Sequence, residues 1–129
     1  MTQQEMKERT KRFALRIIKL VDALPVTTSS QIIGKQLLRS GTSVGANYRS
    51  ACRAKSTADF IFKLSIVEEE ADESIYWMEL LVDSDLVKAS LVTNLMDEAS
   101  QVLAIIVSSI KTLKRKRNPK SEIPNPKSR

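Results

Sequence analysis

Apolar residues recur every three or four positions in four segments of the chain, which is the spacing of one face of an α-helix. The pattern predicts helices at roughly residues 6–24, 28–55, 57–82 and 90–116. Pro25 ends the first segment, because the residue before a proline is pushed out of the helical conformation. The twelve residues 118–129 contain three prolines and carry basic side chains. We therefore predict a helical domain over residues 1–117 and a disordered basic tail over residues 118–129.

Each predicted helix has an apolar stripe wide enough to face a shared core. The clearest stripes are on the third and fourth helices, where the apolar positions are Phe60, Leu64, Val67, Ala71, Ile75, Met78, Val92, Leu95, Ala99, Val102, Ile106, Ile110 and Leu113. Glycine and proline are too sparse to punctuate a sheet of several strands, and β-branched runs are short. The fold class that this pattern predicts is all-α, as an antiparallel up-and-down four-helix bundle that is oligomeric.

The second helix carries three glycines on one face. The stripe they belong to is Gly34, Leu38, Gly41, Gly45 and Tyr48. Each glycine in a helix interior costs about 1 kcal/mol relative to alanine. Such a face is expected where another backbone approaches closely. The alternative is that Gly41 simply breaks the helix in two.

Caps are expected at the starts of the second and third helices. Ser56 can cap the third helix while Asp59 reaches back to a backbone N–H. For the second helix the possible N-caps are Thr27, Thr28, Ser29 and Ser30, among which the sequence does not choose.

A second stripe on the third helix contains large apolar residues but does not belong to the core stripe. Its residues are Phe62, Ile66, Glu69, Glu73, Trp77 and Leu80. A solvated face has little need for large apolar residues in register, so this stripe is the predicted interface of a homo-oligomer. Glu69 and Glu73 within such a contact need basic partners.

A long stretch of the chain resembles a known family. The run QLLRSGTSVGANYRSACRAKSTADFIFKLSIVEEEADESIYWMELL is similar to the small proteins encoded in intervening sequences of bacterial large-subunit ribosomal RNA genes. The accessory variability determinant of diversity-generating retroelements is a more distant relative by fold. The resemblance implies a four-helix protomer, a ring-like homopentamer and nucleic-acid binding without catalysis. Ser50 departs from the family, which usually has Glu after NYR.

Charge is strongly segregated along the chain. The net charge is +6 and the pI is about 9.6, which favours an anionic partner, with nucleic acid ahead of membrane. Residues 1–55 hold 11 basic and 3 acidic side chains, whereas residues 57–85 hold 1 basic and 9 acidic ones. Nucleic acid is therefore not expected to touch the third helix.

The predicted nucleic-acid contacts are three groups of basic residues. These are Arg9, Arg12, Arg16 and Lys19 on the first helix, Lys35, Arg39, Arg49 and Arg53 on the second, and Lys114, Arg115, Lys116 and Arg117 at the end of the fourth. The alternative is a solvated surface that only keeps the protein soluble. Arg39 could instead form an ion pair with a carboxylate, since in an antiparallel hairpin of the second and third helices it lies at the same height along the helix axes as Glu73.

Several chemistries are not expected. The chain has no histidine and one cysteine, Cys52, so we expect no zinc site, no other metal, no cofactor and no catalytic residues. No phosphate-binding loop or small-molecule site is indicated. The polar start lacks a signal sequence, and the apolar run 102–107 is too short to span a bilayer. We expect a cytoplasmic protein without membrane contact that is not an enzyme.

Two functions fit these features. The first is a non-catalytic homo-oligomer that binds the backbone of RNA or DNA. The alternative is a protein-interaction module whose basic surface receives an acidic partner protein, such as a reverse transcriptase.

Overall fold

The computed structural model describes residues 1–117. Within that range the chain forms four helices and no strand, and the helices are α1 (Gln3–Asp22), α2 (Thr28–Ala51), α3 (Thr57–Asp83) and α4 (Ala89–Arg117). The number and order of the predicted helices are confirmed. The predicted tail lies outside the described residues.

The largest differences between the predicted and observed helix bounds are at the start of α1 and the end of α2. The first helix begins at Gln3 because Thr2 and Glu5 form a capping box, in which the Thr2 hydroxyl accepts from the Glu5 N–H at 3.0 Å and the Glu5 carboxylate accepts from the Thr2 N–H at 2.8 Å. This pair keeps the pKa of Glu5 below its usual value. The second helix ends at Ala51, four residues before its predicted end.

The structure also shows the N-caps of α2 and α3. Among the four candidates for α2, Thr27 is the cap, and its hydroxyl accepts from the Ser30 N–H at 3.1 Å. Ser56 caps α3 as predicted, accepting from the Asp59 N–H at 3.0 Å. The Asp59 carboxylate reaches one residue further back, to the N–H of Lys55 at 3.1 Å.

Each helix packs against the next one in the sequence, and α1 also meets α4 along a sparser contact. The four helices surround one core to which all of them contribute. On α4 the predicted stripe is the buried one, apart from the half-buried Leu113. On α3 the buried set is rotated slightly, so that Ile61 and Ser74 are buried while Phe60 and Ile75 are half-buried.

The glycine face of α2 packs against α1. A Cβ atom on Gly41 would lie 2.8 Å from two carbons of the Ile17 side chain, and one on Gly45 would lie 3.3 Å from the backbone oxygen of Thr10. These distances leave no room for side chains, so the glycines allow the two helices to approach closely. Because α2 runs unbroken through Gly41, the alternative of a break is wrong.

Two polar residues at the inner face of α2 have hydrogen-bond partners. Ser40 is fully buried, and its hydroxyl lies 3.0 Å from that of Ser74 on α3. Asn47 donates from its side-chain amide to the carbonyl of Ser43 at 2.8 Å. The hydrogen bond between Ser40 and Ser74 fixes the level of α2 against α3.

By length and composition, α4 is the one described helix that is apolar enough to cross a membrane, and 28% of its most apolar 18-residue window is buried. Core helices of globular proteins share this composition. Beside the buried stripe, Met96, Leu103 and Ile105 of α4 are half-buried and pack against the core. Much of the apolar character of α4 is therefore used within the protomer.

Candidate nucleic-acid interface

Arg9 is held at the contact between α1 and α4. Its guanidinium donates to both carboxylate oxygens of Glu98, each at 2.7 Å, and to the side-chain oxygen of Gln101 at 2.8 Å. The two charged side chains are only 15% and 19% exposed. Hydrogen bonding to Glu98 raises the pKa of Arg9, and the same hydrogen bonds, with smaller contributions from Arg16 and Arg12, lower the pKa of Glu98. The charge of Arg9 is therefore largely balanced inside the protomer.

The remaining predicted cations of α1 are exposed. Arg12, Arg16 and Lys19 form no ion pair within 4.0 Å among the described residues. The influence of Arg12 and Arg16 on Glu98 places them on the α4 side of α1. They form one basic ribbon along α1.

Of the two roles weighed for Arg39, the structure shows the ion pair. Its guanidinium donates to Glu70 at 3.1 Å and to Glu73, both on α3. Glu73 thus has a basic partner within its own protomer, whereas Glu69 is exposed and makes no ion pair among residues 1–117. Because Arg39 remains 46% exposed, the pair is a surface one.

A groove of about 580 Å³ runs between α1 and α2. Its floor consists of small side chains, and Lys7, Lys11 and Arg49 stand around it. The full lining is Gln4, Lys7, Glu8, Lys11, Ala14, Thr42, Gly45, Ala46 and Arg49.

A second depression of about 510 Å³ continues the first, because both are lined by Ala46 and Arg49. It extends to the start of α3, and its other lining residues are Ser50, Arg53, Lys55 and Lys63. Lys63 also pairs with Asp59 at 3.5 Å, one helical turn away. We call the two depressions together the basic groove.

The basic groove unites two predicted residues, Arg49 and Arg53, with four that the sequence reasoning missed. The missed residues are Lys7, Lys11, Lys55 and Lys63. A signal existed for two of them, since Lys7 and Lys11 are four residues apart and so share a face of α1. Lys35 is exposed on α2 but lines neither depression.

The last predicted group lies at the carboxyl end of α4, where Lys114, Arg115, Lys116 and Arg117 are all exposed. Cations there also balance the negative end of the helix dipole. They do not line the basic groove.

The predicted oligomer face of α3 is only partly open. Phe62 is 63% exposed, whereas Ile66, Trp77 and Leu80 are half-buried. Trp77 packs against the core and meets the ring of Tyr76 edge-on, with 5.1 Å between centroids. Tyr76 is itself exposed and was missed, because it falls outside the predicted stripe.

The structure also bears on metal ligation and on the surroundings of the single cysteine. Within residues 1–117 no group of three or more His, Cys, Asp or Glu side chains is arranged to hold a metal ion. Cys52 is half-buried beside Tyr48, and burial, with a smaller contribution from Cys52, raises the pKa of the Tyr48 phenol.

Comparisons with known proteins agree with the resemblance of the sequence. The family model described as 23S rRNA-intervening sequence protein matches residues 2–108. A solved protein of unknown function from Bacteroides thetaiotaomicron, described as from the S23 ribosomal protein family, is 38% identical with a TM-score of 0.77. The match covers 82% of this chain and 98% of that one. No curated protein matches. The chain belongs to the 23S rRNA-intervening sequence protein family.

Proposed function

We propose that this protein is a non-catalytic homo-oligomer that binds the backbone of RNA or DNA through its basic surfaces. The observation that carries the proposal is the basic groove, in which six cations from α1, α2, the following turn and α3 line one continuous depression. Phosphate contacts supply most of the sequence-independent affinity for nucleic acids.

The distribution of charge supports binding on one side of the molecule. Exposed carboxylates of α3 without an ion pair among the described residues include Glu69, Asp72 and Glu79. They repel phosphates, so nucleic acid approaches α1, α2 and, on α3, only the first turns that carry Lys63.

Little reading of base sequence is expected. No aromatic residue lines the basic groove, whereas proteins that hold bases do so by stacking them on aromatic rings.

An antiparallel up-and-down bundle is the arrangement that we propose for the protomer. Each connection between helices has five residues, namely 23–27, 52–56 and 84–88. Five residues span at most about 20 Å, whereas a helix such as α2 is about 36 Å long. A connection of this length cannot return along a helix, so consecutive helices run in opposite directions.

Assembly is proposed through the outer face of α3, where Phe62 and Tyr76 are exposed apolar residues close to the half-buried Ile66 and Trp77 in helical register. Large exposed apolar patches mark interaction sites. A ring of five subunits follows from the family resemblance alone. Several copies of the basic groove in one assembly would raise the affinity for a long strand.

Salt dependence tests the function. If about six phosphates of a duplex are neutralised, log K should fall against log salt with a slope near −5. The double variant Arg49→Gln/Arg53→Gln, which removes two cations of the basic groove, should weaken binding to all sequences alike and make the slope shallower. Lys88→Gln, beside the acidic helix, is the control and should leave the slope unchanged.

Absence of binding at low salt would overturn the proposal. The basic surfaces would then serve an acidic partner protein, or only solubility. A slope that is flat and insensitive to Arg49→Gln/Arg53→Gln would lead to the same conclusion.

A further inference from the structure

We propose that the basic groove seats one single-stranded stretch of nucleic acid, with its phosphates between the rims of α1 and α2 and its bases turned outward. The inference rests on the proposed function and specifies where and in what form the polymer binds. It rests on the juxtaposition of six cationic side chains around a floor of small residues.

The rims are strongly and almost uniformly positive. Lys7 and Lys11 come from α1, Arg49 and Arg53 from α2 and the turn after it, and Lys55 and Lys63 from the α2–α3 connection and α3. Glu8 is the one carboxylate among the lining residues. Of the six cations only Lys63 makes an ion pair within the described chain, and that partner, Asp59, is 3.5 Å away. The positive charge of the groove is therefore largely unbalanced within the protomer and is available to an anionic ligand.

The floor is shaped for a polymer backbone. Ala14, Thr42, Gly45 and Ala46 are all small, and Gly45 draws α2 to within van der Waals distance of the Thr10 backbone. Their small side chains leave a depression along the seam instead of a ridge. Because none of them is aromatic, the floor favours a sugar-phosphate chain over a stacked base.

The width of the seam favours one strand over two. The axes of packed helices lie about 8–10 Å apart, so the flexible cationic side chains of both rims can reach one backbone that lies along the seam. A duplex, with two backbones separated by grooves of about 6 and 12 Å, can touch the rims but cannot enter. A single strand can enter and contact both rims together.

The length of the groove matches a short run of phosphates. Along α2 it extends from Thr42 to Ser50, which at 1.5 Å per residue is about 12 Å, and Arg53 lies in the turn beyond. At about 3.4 Å per phosphate along one strand, this length corresponds to about four phosphates. A regular chain of charges fits a line of cations better than the irregular carboxylates of an acidic peptide.

Ala46 allows a sharp test, since it is exposed, lies on α2 and lines both halves of the groove. Ala46→Glu places a carboxylate among the phosphates without removing any cation. Ala46→Gln adds the same bulk without charge. Ala104→Glu, at an exposed position of α4, makes the same change in net charge outside the groove.

Binding would be measured by fluorescence anisotropy with a labelled 20-nucleotide single strand and with the duplex of the same sequence. We expect Ala46→Glu to weaken single-strand binding about tenfold relative to Ala46→Gln, which has the same bulk, and Ala104→Glu to change binding less than twofold. Duplex binding should respond less to Ala46→Glu. Circular dichroism and light scattering establish that the variants keep their fold and assembly.

The outcomes separate the two proposals. If the unmodified protein binds both probes with strong salt dependence but Ala46→Glu and Ala104→Glu behave alike, the groove is not the site and the proposed function stands. If the unmodified protein binds neither probe, the proposed function fails. If a polyglutamate peptide of equal charge displaces the strand at equal concentration, the groove is a site for acidic proteins and the inference is overturned.

Discussion

Two arginines predicted to contact phosphate make ion pairs within the protomer. Arg9 fastens α1 to α4 through Glu98, and Arg39 fastens α2 to α3 through Glu70 and Glu73. The two pairs differ in burial, since Arg9 is 15% exposed and Arg39 is 46% exposed. A largely buried bidentate pair contributes more than an exposed one. Arg9 therefore has mainly a structural role, whereas Arg39 retains exposed surface for a ligand.

The pair between Arg9 and Glu98 predicts a pH-dependent stability. Hydrogen bonds from Arg9 lower the pKa of Glu98 in the folded state, so the unfolded state binds more protons there. The resulting stability is present above the unfolded pKa of about 4.3 and is lost as pH falls through the folded value. Glu98→Gln should cost about 1–2 kcal/mol at pH 7. Its difference from the unmodified protein should shrink below about pH 4.

Urea unfolding at pH 7, 5 and 3 measures this difference. The control is Glu79→Gln, which removes the same charge from an exposed position without an ion pair among the described residues. A cost for Glu98→Gln that stays constant down to pH 3 would contradict an ionic origin.

At the scale of elements, the contact of α1 with α2 depends on three glycines in unequal surroundings. At Gly41 an added methyl group would meet the buried and β-branched Ile17, whose side chain has little freedom to move. At Gly34 the nearest atom would be the terminal carbon of the half-buried Leu24, at 3.0 Å. A terminal methyl of leucine rotates away easily. The same substitution is therefore expected to have opposite effects at the two positions.

Gly41→Ala should destabilise the fold. Overpacking a core contact costs about 1–3 kcal/mol, and at the fully buried Ile17 we expect this cost to exceed the gain of about 1 kcal/mol from helix propensity. Gly34→Ala, the matched control, should be neutral or stabilising by up to about 1 kcal/mol. Thermal and urea unfolding measure both. Equal effects at the two positions would mean that close approach at Gly41 does not limit the contact.

At the scale of the whole molecule, the basic groove and the exposed aromatic residues are separated. The basic groove lies along α1 and α2, whereas the exposed aromatic residues Phe62 and Tyr76 lie on α3 among carboxylates. The groove reaches α3 only at Lys63. Assembly through the rest of the outer face of α3 would therefore leave most of the groove open, so that an assembled protomer can still bind a strand.

Phe62 is the position that best tests assembly. Trp77 lies in the same stripe but packs against the core, so changing it would disturb the protomer as well. Phe62→Glu should give smaller species by light scattering at micromolar concentration, with unchanged helix content, because it places a charge in an apolar contact. Leu91→Glu, at an exposed apolar residue of α4, should not. A compact monomer for the unmodified chain would contradict the oligomer.

The sequence by itself determined the parts of this protein that depend on local rules. Helical periodicity, the prolines and the caps defined four helices, because neighbouring residues decide whether a helix starts, continues or ends. The stripes also identified most of the core, as for Val67 and Val102, which are fully buried. The glycine spacing on α2 identified the face of close approach, since a closely packed neighbouring helix makes glycines at Gly41 and Gly45 useful.

Only the tertiary structure decided which cations share a site. A helical wheel places Arg9 beside Arg12 and Arg16, but the carboxylate that binds Arg9 lies 89 residues away on α4. Lys7 and Lys63 line one groove although they belong to the first and third helices. Long-range pairing depends on the level and rotation at which helices pack, and side-chain interdigitation over the whole core fixes both.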